Sequence, residues 1–158
     1  MNPTPSAQTS QIQRNAADAM TLHAAPHYSW HPSLKQIDVA RECLYNVGSA
    51  IKYVWRFRHK GTPAADLTKA LWHIADEVKR RHLGAAPNGL VRPLTTTGLR
   101  NAREKLMAHI DDPAIPRMQT EALAHLIQAE LQPAARVHLE CAHELVGKLA
   151  EELARAAA

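Results

Sequence analysis

The 158-residue sequence has few cysteines, few aromatic residues and no long apolar run. Its two cysteines, Cys43 and Cys141, are too few for a zinc cluster or a disulfide framework, which fits a reducing cytoplasm. Aromatic residues make up only 4 %, and alanine supplies much of the 46 % apolar content, so packed helices are favoured over sheets. No segment has the length and apolar character of a membrane span or a secretion signal. We therefore expect a cytoplasmic, all-α protein with no membrane partner.

Two common nucleotide-binding motifs are also missing. The sequence contains neither a GxxxxGK[ST] phosphate loop nor GxGxxG, so a P-loop kinase and a dinucleotide-binding domain are excluded. What is present is a mild excess of basic residues, because 19 Lys and Arg against 15 Asp and Glu give a net charge of +4. This balance favours anionic partners such as nucleotides or nucleic acid.

Composition divides the chain into three segments. Residues 1–26 are rich in small and polar side chains and are expected to be a disordered tail. Residues 27–83 carry two strong helical patterns with a short connector, which predicts an antiparallel helical hairpin. Residues 84–158 form a C-terminal helical region, expected to serve in packing or in oligomerisation. In its last helix the apolar stripe comprises Val137, Cys141, Leu145, Leu149 and Leu153.

The connector of the hairpin sets the ends of its two helices. The first pattern runs from Ser33 to near Phe57, and its spacing leaves open whether it is one helix or two joined near residues 41–45. Glycine, threonine and proline follow one another at residues 61–63, where they suit a C-cap, an N-cap and a first helical position. The second helix is therefore predicted to begin at residue 63 and to end near His82.

One polar face of the first helical stretch carries groups that bind phosphate. At about 100° per residue, the sector opposite the apolar stripe comprises Tyr45, Ser49, Lys52, Arg56 and His59. If the helix is unbroken, Asp38 and Glu42 join this sector. Lysine offers a point charge, arginine offers a bidentate fork for phosphate oxygens, and a carboxylate pair can hold Mg²⁺ through water. Gly48 leaves room for another helix or a ligand to approach closely.

A second polar face lies on the second helix and comprises Asp66, Lys69, His73, Glu77 and Arg80. Both faces also suit an ordinary solvated helix surface, because the helix dipole favours acids early and bases late. His73 and Glu77 have the spacing of metal ligands, but with no third ligand evident we predict no resident metal. Trp55 and Trp72 either stack on a base or lie in the hairpin core, and burial preference favours the core.

The same segment resembles the SaV-like family of bacteriophage and prophage proteins. The residues that carry the resemblance are His27-Tyr28, Ile37-Asp38, the run from Gly48 to Arg56, Lys60-Gly61, Asp66-Leu67, Lys69-Ala70 and Trp72. The similarity covers about residues 27–80, and the module is also found in a phage nucleotide kinase that lacks a P-loop. It implies a phage-derived, helical protein that forms homo-oligomers and handles nucleoside phosphates.

The resemblance and the two polar faces together define a candidate site. The predicted catalytic residues are Lys52 and Arg56, which would neutralise phosphate charge, and Asp38, which would organise Mg²⁺. The predicted substrate-binding residues are His27, Tyr28, Glu42, Ser49, Tyr53, His59, Lys60, Asp66, Lys69 and His73. Mg²⁺ brought with the nucleotide is the one cofactor that this hypothesis admits.

Three functions remain open at this point. The first is a nucleotide-binding protein that transfers a phosphoryl group to a nucleoside monophosphate. The second keeps the nucleotide or another phosphorylated small molecule as ligand, without chemistry, so that the protein sequesters it against host defence. The third is a nucleic-acid or protein adaptor, in which a basic surface near Arg58 and residues 79–81 contacts backbone phosphates.

Overall fold

Six helices build the described part of the chain. The computed structural model describes residue 28 and residues 30–84, 96–134 and 136–158. No strand occurs among these residues, so the all-α prediction is confirmed. The tail predicted for residues 1–26 lies outside the described residues. The helices are α1 (Gln36–Ala40), α2 (Tyr45–Arg56), α3 (Pro63–His82), α4 (Thr96–Met107), α5 (Arg117–Leu131) and α6 (Val137–Ala156).

Helices α2 and α3 form the antiparallel hairpin that the short connector predicts. Near the start of α2, Asn46 Nδ2 donates to Asp76 Oδ2 late in α3, at 2.8 Å. At the end of α2, Arg56 pairs with Asp66 in the first turn of α3. Gly61 has φ +76°, a left-handed conformation that suits glycine in the connector. Helix α3 begins at the predicted proline and ends at the predicted histidine.

The first helical stretch consists of two helices, α1 and α2, separated by a turn at residues 41–44. The backbone N–H of Leu44, the N-cap residue of α2, donates to Glu130 Oε2 on α5 at 3.0 Å. A Cβ atom at Gly48 would lie 2.7 Å from the carbonyl oxygen of Ala40, a distance that real Cβ atoms do not reach. Gly48 therefore lets the end of α1 lie against α2, which confirms the close approach predicted for this glycine.

The C-terminal helices share one core with the hairpin. Helix α5 packs against α2, and α6 packs against both α3 and α5, so that α2, α3, α6 and α5 close a four-helix ring. Helix α4 packs on the outside of α5. Buried side chains from both halves of the chain, such as Ile51, Leu67, Leu123 and Leu139, belong to one apolar cluster. Among the described helices, none combines the length and the apolar content that a bilayer crossing needs.

The buried face of α6 differs from the predicted stripe. Its fully buried side chains are Leu139, Ala142, Val146 and Leu149. Of the predicted positions only Leu149 is among them, and Val137 is 54 % exposed. The helix is apolar enough for two adjacent stripes, and contact with α3 and α5 selects the one that contains the small Ala142.

Candidate functional site

A surface cavity lies where α1 meets the first two turns of α2. Its volume is about 560 Å³, and we call it the α1–α2 groove. The lining residues are Tyr28, Gln36, Ile37, Ala40, Arg41, Cys43, Leu44, Tyr45, Gly48, Ser49 and Lys52. Three of the predicted site residues, Tyr28, Ser49 and Lys52, therefore meet in one place. An apolar lining with a few polar groups is typical of small-molecule sites.

Tyr28 is held at the α1–α2 groove by a chain of polar contacts. Arg56 Nη1 donates to the Tyr28 hydroxyl oxygen at 3.1 Å, and Trp55 Nε1 donates to the Tyr28 carbonyl at 3.1 Å. Trp30 adds a further link, because its Nε1 donates to the Trp55 carbonyl at 2.6 Å. Arg56 and Trp55 therefore fix the position of Tyr28 in the lining of the groove.

Arg56 does not have the exposed position that its spacing predicts. It is 7 % exposed, and its Nε and Nη2 donate to the two carboxylate oxygens of Asp66 at 3.0 and 2.9 Å. Burial opposes the charged form of Arg56, but the hydrogen bonds to Asp66 and Tyr28 outweigh it and raise its pKa. The fork predicted for phosphate is thus occupied by a carboxylate, and Arg56 acts by positioning Tyr28. Asp66, predicted to bind substrate, is 1 % exposed and is the partner in this pair.

Asp38 and Glu42 do not join Lys52 on one face. Their predicted position required an unbroken helix, and the turn at residues 41–44 removes that continuity. Both carboxylates instead lie near Arg41, at 3.4 Å from Asp38 and 3.6 Å from Glu42. Neither lines the α1–α2 groove. This placement does not fit the predicted Mg²⁺ pair, and no group of three His, Cys, Asp or Glu side chains among the described residues is arranged to hold a metal.

A second set of predicted residues gathers around Tyr53. Its ring stacks on His73 with centroids 5.7 Å apart and planes at 17°. Lys52 Nζ lies 4.7 Å from the Tyr53 centroid and Lys69 Nζ lies 5.6 Å from it, while the Arg56 guanidinium lies at 5.0 Å. In the part of the chain that the structure describes, neither lysine pairs with a carboxylate. The surface beside the groove is therefore positively charged.

His73 belongs to a buried polar network that the sequence pattern did not reveal. Asn46 Nδ2 donates to Asp76 and to Glu77, at 2.8 and 3.3 Å, so Asn46 Oδ1 faces His73 Nδ1 at 3.1 Å. This arrangement assigns the proton of neutral His73 to Nδ1. Burial and the charge of Lys52 lower the pKa of His73, against the opposing charge of Asp76. The sequence did contain one indication of this network, because Asn46 stands three residues before Ser49 and therefore shares its face of α2.

A neighbouring ion-pair network connects α3 to α5. Arg81 donates to Glu77 and to Glu130, each at 2.9 Å, and to the carbonyl of Ala129 at 2.8 Å. Burial raises the pKa of Glu130 although Leu44 and Arg81 both hydrogen-bond to it. Burial, with the charges of Glu130 and Glu42, also raises the pKa of the Cys43 thiol well above its ordinary value. Cys43 is therefore a protonated thiol at neutral pH and not a nucleophile.

The remaining predicted residues lie away from the α1–α2 groove. His59 is exposed and stacks on Trp30, with centroids 5.8 Å apart and planes at 22°. Lys60 is exposed in the connector between α2 and α3. His27 lies outside the described residues. Trp55 is in the core at 1 % exposure, as favoured from sequence, whereas the same expectation for Trp72 is wrong, because it is 62 % exposed.

The fold and the site thus define a small all-α protein with a groove at the N-terminal end of a helical hairpin. A family model described as a protein of unknown function, DUF3310, matches residues 23–75. The match spans α1, α2 and the first half of α3, and so includes the α1–α2 groove and the side chains around Tyr53. No curated protein and no solved structure matches the chain.

Proposed function

We propose that the protein binds a nucleotide or another phosphorylated small molecule in the α1–α2 groove. The observation that carries this proposal is the position of Lys52, an ammonium at a mostly apolar groove that pairs with no carboxylate of the described residues. A lysine without a carboxylate partner is a ready ligand for phosphate oxygens. Lys69 lies near the adjacent Tyr53 ring and adds to the positive potential.

The rest of the groove suits the nucleoside part of such a ligand. Ile37, Ala40 and Leu44 offer apolar surface to a base. The hydroxyl groups of Tyr28 and Ser49 lie in the same lining and are suited to the hydroxyl groups of a sugar. Arg56 and Asp66 orient Tyr28 before any ligand arrives. The Tyr28 side chain therefore loses less conformational entropy when the ligand binds.

Binding without phosphoryl transfer agrees better with the placement of the charged groups. Transfer needs charge neutralisation at the reacting phosphate, and the arginine predicted for that role is paired with Asp66. Asp38 and Glu42, predicted to organise Mg²⁺, lie beside Arg41 and outside the groove. On this proposal any Mg²⁺ arrives on the phosphates of the ligand. The protein would then sequester a nucleotide rather than convert it.

The similarity to SaV-like phage and prophage proteins supports this proposal. It covers about residues 27–80, the part of the chain that contains the groove, and residues 23–75 also match one family of unknown function. A phage-derived protein that sequesters a nucleotide would act in the bacterial cytoplasm as a countermeasure against host defence. Assembly into homo-oligomers stays a prediction of the same resemblance.

A melting screen with nucleoside mono-, di- and triphosphates, each with and without Mg²⁺, tests the proposal. A ligand that binds only the folded protein adds about 2.7 kcal/mol to its stability at a hundredfold excess over Kd. We expect a clear rise in Tm with at least one nucleotide, and its loss in Lys52→Ala. The matched control is Lys105→Ala, an exposed lysine on α4 that does not line the groove.

The results of these assays distinguish nucleotide sequestration from phosphoryl transfer and from general electrostatic attraction. If no nucleotide moves the Tm, the groove does not bind this class of ligand. If the protein forms diphosphates from a nucleoside monophosphate, a triphosphate and Mg²⁺, and Lys52→Ala loses that activity, phosphoryl transfer replaces sequestration. An equal loss of the Tm shift in Lys105→Ala would point to general electrostatic attraction rather than to the groove.

A further inference from the structure

Two large aromatic side chains are exposed side by side on the hairpin. Tyr45 and Trp72 are each 62 % exposed, and only two other large apolar residues among those described, Leu83 and Val137, are comparably open. Tyr45 and Trp72 both stand edge-on to His73, with centroids 5.8 and 4.9 Å from it and planes at 75° and 82°. With Tyr53 stacked on the same His73 ring, they form one aromatic cluster.

Two lysines that pair with no carboxylate of the described residues, Lys52 and Lys69, lie beside this aromatic cluster. Lys52 Nζ on α2 and Lys69 Nζ on α3 both lie near the Tyr53 ring, 4.7 and 5.6 Å from its centroid. Bringing two ammonium groups to one ring without a carboxylate partner costs Coulomb energy, which an anion placed between them recovers. The same surface therefore joins flat apolar platforms to a place for phosphate.

This combination selects a class of ligand. Aromatic platforms stack on any base, and lysines beside them neutralise backbone phosphates. A mononucleotide offers one base, whereas Tyr45 and Trp72 are two separate exposed rings, each in contact with His73. A duplex keeps its bases stacked inside the helix, where these rings cannot reach them. We propose that the aromatic cluster with Lys52 and Lys69 binds single-stranded nucleic acid. This site does not require a ligand in the α1–α2 groove.

Fluorescence anisotropy with a labelled single-stranded oligonucleotide of about ten nucleotides tests the proposal. Trp72→Ala removes one platform at an exposed position and should weaken binding about 5- to 150-fold. Trp72→Phe keeps an aromatic face and should restore most of the affinity. Binding to the parent protein should also quench its tryptophan fluorescence. This quenching should be much smaller in Trp72→Phe, because Trp55 is buried and Trp30 is half-buried against it.

The salt dependence of the binding constant distinguishes a specific site from non-specific electrostatic attraction. Each neutralised phosphate of a single strand contributes about 0.7 to the slope of log K against log salt, so Lys69→Ala should lower the slope by about that amount. Lys105→Ala removes an exposed charge on α4 and should leave the slope unchanged. No binding to the single strand, equal binding to a duplex, or unchanged affinity in Trp72→Ala would each overturn the proposal. The Tm shift that a mononucleotide causes in Trp72→Ala reports separately on the α1–α2 groove, because Trp72 does not line it.

Discussion

Gly48 determines how closely the end of α1 can approach α2. A methyl group at this position would meet the Ala40 carbonyl oxygen at 2.7 Å, and a backbone atom cannot move away as a flexible side chain can. We predict that Gly48→Ala lowers the free energy of unfolding by about 1–2 kcal/mol. The gain of about 1 kcal/mol in helix propensity is smaller than the cost of displacing α1. Urea denaturation at neutral pH measures the difference.

Gly147 provides the matched control for that substitution. It lies inside α6, and a Cβ atom built there meets no other atom within 4 Å. Gly147→Ala should therefore raise the free energy of unfolding by about 0.5–1 kcal/mol, through helix propensity alone. If Gly48→Ala were stabilising to the same extent, α1 would not pack on α2 as described.

The sequence predicts which side chains share one face of a helix, but not which residues of another helix they contact. The spacing of Ser49 and Lys52 placed them on one face, and both line the α1–α2 groove. Arg56 shares that spacing but is buried, because Asp66 on α3 and Tyr28 ahead of α1 supply its hydrogen-bond partners. A helical pattern describes one helix at a time, so it cannot show that a charge is neutralised by the next one.

The ion pair of Arg56 and Asp66 fastens the end of α2 to the start of α3. The side chains are 9 % and 1 % exposed, so solvent screens them little. We predict that Asp66→Ala lowers the free energy of unfolding by about 3–5 kcal/mol, because it leaves a buried guanidinium without its counter-charge. The double substitution Arg56→Met with Asp66→Leu should recover most of that loss, since two apolar side chains can fill the space. Chemical denaturation of the single and double variants measures the coupling.

The same double variant separates the structural role of the pair from its effect on the groove. Without Arg56, the Tyr28 hydroxyl loses the donor that holds it at 3.1 Å. A variant that regains stability but still binds a nucleotide more weakly than the parent protein would show that Arg56 acts through Tyr28. Full recovery of both stability and affinity would leave Arg56 with no part in the site.

Helix ends were predictable where local residues define them, and not where distant residues do. Thr62 is the N-cap and Pro63 the first residue of α3, as the connector predicts. Gly61 is not the predicted C-cap, because α2 already ends at Arg56 with Phe57 as its C-cap. The break between α1 and α2 has no such signal, because Glu130, far along the chain, receives the Leu44 N–H. The spacing could therefore not decide between one helix and two.

One apolar core joins the two halves of the molecule. Leu139 and Val146 of α6 are fully buried, in the same cluster as Leu67 and Ile74 of α3. The C-terminal helix thus covers part of the hairpin in its own chain, although its sequence pattern alone is equally suited to packing against another subunit. Only the packing of all helices together could decide which of two adjacent stripes faces inward.

Three histidines in separate parts of the molecule, two buried and one half-buried, make its stability depend on pH. Burial and the charge of His109 lower the pKa of His31 from 6.5 to about 4. Burial likewise lowers the pKa of His73 and of His125, assisted by Lys52 and by His138 respectively, with acidic neighbours opposing both shifts. Between the folded and unfolded pKa values the unfolded chain binds more protons. These three groups therefore lower the free energy of unfolding as the pH drops below about 6.5, whereas Glu130, whose pKa is raised, contributes in the opposite direction.

His31 offers the sharpest test of this dependence, because its lowered pKa extends the window down to about 4. Its Nδ1 accepts the Ser33 N–H at 3.3 Å, so protonation at Nδ1 would remove that acceptor. We predict that unfolding free energy falls by about 1–2 kcal/mol from about pH 7 to about pH 5. His31→Asn keeps an acceptor near Ser33 but cannot take up a proton, so its decline should be shallower. Urea titrations across this range compare the two, and parallel curves would mean that His31 takes up no proton on unfolding.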